Sequence, residues 1–285
     1  LSMYNSKALG KNALSFYDPQ MQAVLSKRLQ LEEDIRRGLA EEEFVIYLQP
    51  QAGVNGYLEG AEALVRWQHP QRGVLGPGVF IEIAERSDLI EVMDLATLRQ
   101  GCELLARWSN QPQRAALSLS VNISSRLLYR DDFIDLIKHL LDETQANPLR
   151  LKLEITESLL LTDKEKAVMR MQSLREMGIR FSIDDFGTGY SSMAYLQQLP
   201  LDQLKIDQSF VRDLPENTSG LAIVRAILAM AHSLNLEVIA EGVETLAQRD
   251  ALSDSGCKHF QGYLFGKPVA VADFEVISLC SGSQH

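Results

Sequence analysis

Short bursts of alternating apolar and polar residues recur along the chain, and most of them close on a polar side chain. Leu117-Ser-Leu-Ser-Val-Asn122, Leu149-Arg-Leu-Lys-Leu-Glu154, Ile179-Arg-Phe-Ser-Ile-Asp184 followed by Asp185, Asp202-Gln-Leu-Lys-Ile-Asp207, Glu237-Val-Ile-Ala-Glu241 and His259-Phe-Gln261 share this form. A period of two reads as a strand. Between the bursts the apolar period lengthens to that of a helix. Phe133, Leu136, Ile137, Leu140 and Leu141 share one face, as do Val168, Met171 and Leu174 before a stop at Gly178. A helix over residues 221–234 is expected to turn Ile223, Ile227 and Met230 inward and to stop at Asn235. Thr162 with Glu165, and Thr245 with Gln248, have the spacing of capping boxes, and Gly256 closes the second helix.

The first third is organised differently. Residues 44–51 and 58–67 read as two strands joined through the loop 53–56, a hairpin. Residues 79–108 read as mostly helical, with Leu95, Leu98, Cys102 and Leu105 on one face. Residues 21–39 read as an amphipathic helix carrying Val24, Leu25, Leu29, Leu31 and Ile35. After Phe274 a short apolar segment and a polar tail carry no readable role.

Strands alternating with helices at short spacing imply parallel strands joined by crossovers. About eight strands can be counted, which predicts an α/β fold, a modified TIM (β/α)8 barrel with one antiparallel strand near its start. An open doubly wound sheet is the alternative, but no Gly-x-Gly-x-x-Gly loop follows an early strand. The expected organisation is a tail and linker over 1–22, a barrel domain over 23–275 and a C-terminal tail over 276–285.

The 285 residues carry a formal net charge of −10 and a pI near 5.1, which argues against a surface for tracking DNA or RNA. No apolar run reaches membrane-spanning length. Cys102, Cys257 and Cys280 are far apart and odd in number, so a reducing, cytoplasmic setting is expected.

The polar residues that close or interrupt the bursts carry the chemistry. In a barrel the C-terminal strand ends converge on one mouth. There stand Glu62, Asn122, Glu154, Asp184, Asp185, Lys205, Glu241 and Gln261. Adjacent carboxylates repel, and a divalent cation is the cheapest way to hold them together. All but Lys205 are hard oxygen donors, so Mg²⁺ or Mn²⁺ fits better than Zn²⁺, and no histidine pair has zinc spacing. The acids suffice for two ions, a device for cleaving phosphate esters, with Lys205 oriented toward the water or the developing charge. The competing reading of Lys205 is an ion pair with Asp207. Trp67, Trp108 and Tyr263 read as packing residues.

Glu62-Ala-Leu-Val-Arg-Trp67 resembles the signature of the EAL family. Gln49-Pro50, Val121-Asn-Ile-Ser124, Glu154-Ile-Thr-Glu157, Asp184-Asp-Phe-Gly-Thr-Gly-Tyr-Ser-Ser192, Lys205-Ile-Asp207, Ala240-Glu-Gly-Val-Glu244 and Gln261-Gly-Tyr263 follow in the family's order across about residues 41–270. The resemblance implies a metal-dependent cyclic di-GMP phosphodiesterase that yields linear pGpG and lowers a bacterial second messenger. It implies that Glu62, Asn122, Glu154 and Asp184 hold the first metal. Asp184 would bridge to the second, with Asp185 and Glu241. Lys205 would contact the attacking water and Gln261 would order the water shell. Gln49, Leu64 and Arg66, with Gln261, would serve the substrate. Glu157 would anchor the loop 185–192 and couple it to a homodimer interface, and Glu244 would support a neighbouring loop. Met193 and Val65 stand where the family more often has Leu. The loop within 51–57 lacks the usual acidic residue. The stretch Met3-Tyr-Asn-Ser-Lys-Ala-Leu-Gly-Lys-Asn12 resembles the exit of a GGDEF domain, which implies a longer tandem protein with upstream GGDEF and sensor domains, where any membrane attachment would lie. The competing functions are a receptor that holds cyclic di-GMP without cleaving it, an interaction module with a vestigial site, and a generic metal-dependent phosphatase.

Overall fold

A computed structural model describes residues 19–156, 163–187 and 196–280. Ten strands form one sheet: β1 (Phe44–Gly53), β2 (Leu58–His69), β3 (Gly73–Leu75), β4 (Ser118–Asn122), β5 (Leu151–Thr156), β6 (Arg180–Phe186), β7 (Gln203–Ile206), β8 (Glu237–Ala240), β9 (His259–Gln261) and β10 (Val269–Ala270). Eight of them close into a ring in the order β1, β2, β4, β5, β6, β7, β8, β9 and back to β1. From β2 through β4 to β9 successive staves are parallel. β1 runs antiparallel to both its neighbours, β2 and β9. The barrel with one reversed strand is therefore the one the alternation predicts. Short β3 and β10 extend the edges of β2 and β1.

Alternate residues of a strand face opposite sides of the sheet. On one side Leu119, Val121, Leu151, Leu153, Ile155, Phe181, Ile183, Leu204 and Ile206 are sealed into the main apolar core with helical residues such as Leu98, Ile137, Met171, Leu174 and Val224. The intervening Ser120, Lys152, Glu154, Ser182, Gln203 and Lys205 are equally buried, and they face the lumen. A barrel lumen is usually filled by branched apolar side chains. Here the apolar layer lies between staves and helices, and the lumen is polar. Buried polar groups need partners. Lys152 Nζ donates to Gln203 Oε1 at 2.8 Å, and Gln51 Nε2 donates to Gln261 Oε1 at 2.9 Å.

A second apolar cluster lies beside β1 and β2. Trp67 stacks on Phe44 with centroids 5.0 Å apart and meets Phe80 edge-on, and Ile35 and Met93 complete the packing. It holds the Pro19–Ala40 helix by its last turns, so Ile35 is buried while Leu29, nearer the start, is 58% exposed, contrary to its expected place on the apolar face.

The stretch 79–108 is mostly helical as expected, in two helices, Ile81–Glu85 and Leu89–Ser109, broken where Ser87 Oγ donates back to the Ile83 and Ala84 carbonyls, after a turn at Pro77–Val79. Local sterics correct several other expectations. Asn147 accepts from the Leu149 amide and makes a turn of Pro148–Arg150, so β5 starts at Leu151. The helix Lys164–Glu176 is capped by Asp163, whose carboxylate accepts from the Lys166 amide at 3.1 Å, rather than by a Thr162–Glu165 box. Thr162 lies outside the described residues. The Thr245–Gln248 box forms as expected. In the helix Thr218–Ser233 the inward face is Gly220, Val224, Ile227 and Ala231; Ile223 faces outward. The apolar segment after Phe274 belongs to a helix, Val271–Cys280, in which fully buried Phe274 stacks on Trp108.

Candidate active site

Lys205 is the hub. Its ammonium lies 2.6 Å from Glu154 Oε2, 2.7 Å from Glu241 Oε1, 3.1 Å from Asp184 Oδ1 and 3.3 Å from Glu62 Oε2. These side chains come from β2, β5, β6, β7 and the exit of β8, gathered by the ring order. The alternative pairing with Asp207 is not formed. Asp207 instead caps the Gln208–Val211 helix, accepting from the Ser209 amide at 3.0 Å.

One cation does not balance this set. Burial works against the charged form of Lys205, yet Glu154, Glu241, Glu62 and Asp184 together hold its pKa well above the ordinary value. Burial, then repulsion from Glu62, pushes Glu154 well up despite Lys205. Burial lifts Glu241 to about 8, with Lys205 opposing. Burial also disfavours charged Glu62, but Lys205 and hydrogen bonds from Gln261 and Asn122 bring it below its usual value. Asp185 is raised by burial and by Asp184.

The donor set fits divalent metal. Carboxylate oxygens of Glu62, Glu154 and Asp184 lie within 4.8 Å of one another, and so do those of Asp184, Asp185 and Glu241. Asp184 belongs to both groups. Glu154 Oε1 is buried with no hydrogen-bond partner, which is costly for a carboxylate unless a cation meets it. All-oxygen donors suit Mg²⁺ or Mn²⁺.

Neighbouring amides fix the acids. Asn122 Nδ2 donates to Glu62 Oε1 at 2.7 Å. Gln261 Nε2 donates to Glu62 Oε2 at 2.6 Å and to Gln49 Oε1 at 3.2 Å, while Gln49 reaches the Gly266 carbonyl. Gln51, which the sequence reading passed over, completes the chain by donating to Gln261. It lies two residues beyond Gln49 on the same strand face, and that spacing was the available signal. At Gly262 an added Cβ would lie 2.1 Å from the Val243 carbonyl oxygen, so glycine alone lets the exits of β8 and β9 close together. On β6 a register shift between Ile183 and Phe186 accompanies a left-handed Asp185 (φ 54°), whose amide donates to Asp184 Oδ1 at 2.9 Å.

The mouth opens into a cleft of about 300 Å³, lined among others by Gln49, Leu64, Lys205, Gln261 and Tyr263, and one of about 820 Å³ reached past Leu64, Asn122 and Asp185. Half-buried Arg66 donates to the Val65 carbonyl at 2.8 Å and lies over the Tyr47 ring. Exposed Glu244 borders the smaller cleft, its amide donating to Gln248. Tyr263 is 55% exposed, with Lys267 Nζ 5.2 Å from its ring centre, so it is a surface of the cleft and not a packing residue. Trp67 and Trp108 are core, as expected. Glu157 and the loop 188–192 lie outside the described residues.

Comparison with known proteins places these features in a family. The EAL domain family matches residues 32–268. Cyclic di-GMP phosphodiesterase NbdA of Pseudomonas aeruginosa is 40% identical over 96% of this chain and 35% of its own length. The bifunctional diguanylate cyclase/cyclic di-GMP phosphodiesterase MucR of the same organism is 38% identical over 94% of this chain and 39% of its own. The chain thus spans little more than a third of these relatives. The solved structure of the PaMucR phosphodiesterase in complex with c-di-GMP superposes with a TM-score of 0.82 at 38% identity, covering 86% of this chain and 99% of that one. With its reversed β1 and its strand-end acids, the chain belongs to the EAL domain family.

Proposed function

We propose that this domain hydrolyses cyclic di-GMP to linear pGpG by a two-metal mechanism. The observation that carries the reading is the double membership of Asp184, which stands in both carboxylate triads beside Lys205. Similarity to a phosphodiesterase seen with c-di-GMP supports the substrate.

Glu62, Asn122, Glu154 and Asp184 would hold one ion, and Asp184, Asp185 and Glu241 the other. Bound there, Mg²⁺ or Mn²⁺ supplies positive charge at the reacting phosphate. Lys205, anchored by carboxylates on several sides, orients the water that attacks phosphorus. The water oxygen bonds to phosphorus, the P–O3′ bond breaks, and the water's protons end on the new phosphate or solvent and on the 3′ hydroxyl. Gln261, Gln49 and Gln51 hold Glu62 in register. Arg66 takes a phosphate oxygen, while Leu64 and Gln49 border the nucleotide. Glu157 and Glu244 support the neighbouring loops. A homodimer, upstream GGDEF and sensor domains, the division at residues 22 and 275, and a cytoplasmic setting belong to the same proposal. Among the described residues no helix is long and apolar enough to cross a membrane.

The test is a substrate panel. The purified chain is incubated with cyclic di-GMP, linear dinucleotides and phosphomonoesters, with Mg²⁺, Mn²⁺ or chelator, and products are separated by chromatography. Metal-dependent pGpG from the cyclic substrate is expected. Preference for monoesters would instead indicate a generic phosphatase, and tight binding without product a receptor.

A further inference from the structure

The two clefts at the barrel mouth have separate walls except at four described residues, Glu62, Leu64, Asp184 and Gln208, which border both. These four form the saddle where one cleft passes into the other. Glu62 and Asp184 belong to the carboxylate groups, and Leu64 is apolar. Gln208 is the neutral polar member. Its place is built. β7 carries Lys205 into the lumen, Asp207 caps the helix Gln208–Val211, and Gln208 is the first residue of that helix. Against it lies Gly242, next to Glu241, with φ 67°, and a Cβ there would come 2.5 Å from Gln208 Cβ. A side chain at 242 would push Gln208 off the saddle, so glycine serves this contact as well as the left-handed backbone. The Gln208 side chain is exposed, and among the described residues its amide has no hydrogen-bond partner. It therefore offers both donors and an acceptor to whatever crosses the saddle.

We propose that Gln208 hydrogen-bonds a ribose 2′-hydroxyl of the substrate where its sugar–phosphate backbone passes from one cleft to the other, and thereby selects ribonucleotide over deoxyribonucleotide. The inference rests on the substrate reading above. A dinucleotide whose reacting phosphate lies at the carboxylates lays one nucleoside to each side of the saddle. The phosphate itself only accepts hydrogen bonds and is matched best by cations, which Arg66, Lys205 and the metal ions supply. The next groups along the backbone are the riboses. A 2′-hydroxyl both donates and accepts, as a carboxamide does. A neutral amide also makes that contact without adding charge beside Asp184 and Glu241.

The experiment compares cyclic di-GMP with its analogue lacking both 2′-hydroxyls, for the wild-type chain, Gln208→Ala and Gln208→Leu. The readouts are kcat/KM in Mn²⁺ and calorimetric affinity in chelator, with thermal melts to show that each variant is folded. Wild type is expected to favour the ribose form about five- to ten-fold, the worth of one such hydrogen bond. Both variants are expected to lose about that factor on the ribose form and little on the deoxy form, so that the preference collapses. A role confined to packing would weaken both forms alike and keep the wild-type ratio, which overturns the inference. A wild-type chain that takes both forms equally well overturns it too. If wild type binds without cleaving, hydrolysis falls, and the ratio of affinities supports or overturns the role of Gln208 by the same criterion. Neither binding nor cleavage of either form by wild type overturns the substrate reading and this inference with it.

Discussion

Gln261 Nε2 donates to Glu62 Oε2 at 2.6 Å, and both side chains are buried at the floor of the smaller cleft. The Gln261 side-chain amide nitrogen donates to Glu62 and to Gln49, and its side-chain oxygen accepts from Gln51. Its role in the geometry is to fix one carboxylate. Gln261→Ala is therefore expected to lower Mn²⁺ affinity or turnover about 10–100-fold, the usual cost of losing a residue that orients a ligand. Affinity by calorimetry and turnover within two-fold of wild type would show that Glu62 needs no such support.

Lys205 holds the acids together in the absence of metal. Lys205→Met leaves Glu62, Glu154, Asp184 and Glu241 facing one another. Removing one partner of a buried ionic cluster costs about 3–5 kcal/mol, so the metal-free variant is expected to unfold at much lower denaturant. Saturating Mn²⁺ should return most of that stability but not hydrolysis, which should fall at least ~100-fold. Near-normal turnover by the variant would remove Lys205 from the chemistry.

Asp94 makes stability depend on pH. It is buried on the Leu89–Ser109 helix and accepts from the Ser124 amide at 2.8 Å, just past the end of β4. Burial raises its pKa from 3.8 to about 7; the bonds from Ser124 oppose this and Glu85 and Glu91 add to it. The folded state thus binds a proton more tightly than the unfolded one between those values. Stability is fully present below about pH 4 and is lost as pH rises through 7. Asp94→Asn keeps an acceptor for Ser124 without the charge. It is expected to exceed wild type by up to roughly 4 kcal/mol at pH 8, and to match it near pH 4. Denaturant melts at the two pH values check this; equal differences at both would show that Asp94 is charged without penalty.

The residues of the site were legible because chemistry and periodicity coincide at strand ends. An acid or lysine that closes or interrupts an apolar burst has one place to go in a barrel, and Glu62 within β2, Lys205 within β7, and Glu154, Asp184 and Glu241 at or near the ends of their strands went there. Relationships across the lumen were not legible. Nothing along the chain says that Gln51 meets Gln261, since ring closure through the reversed β1 brings them together. Lys152 was likewise hidden, because Lys in an alternating strand normally reads as solvent-facing and only the polar lumen reverses that. Ile223 was misplaced since a helix rich in apolar residues offers two possible faces. The small Gly220, 3.2 Å from the Phe210 carbonyl oxygen at its Cβ position, selects the other.

Phe274 shows what the apolar tail segment does. It is fully buried, stacks on Trp108 with centroids 5.7 Å apart, and lies beside the bond from Trp108 Nε1 to Glu275 Oε1 at 3.1 Å. Phe274→Ala is expected to cost about 3–5 kcal/mol by urea denaturation. A loss below 1 kcal/mol would mean that the helix Val271–Cys280 contributes little to the barrel.

The most direct measurement compares product formation by the wild-type chain and Glu154→Gln with cyclic di-GMP and Mn²⁺. Glutamine keeps the shape of a fully buried side chain and removes the charge that faces Lys205 and leaves Oε1 without a partner. Linear pGpG from wild type, abolished by chelator and absent with the folded variant, is the predicted result. Product at the wild-type rate from Glu154→Gln, or from wild type in chelator, would contradict a metal-dependent carboxylate site.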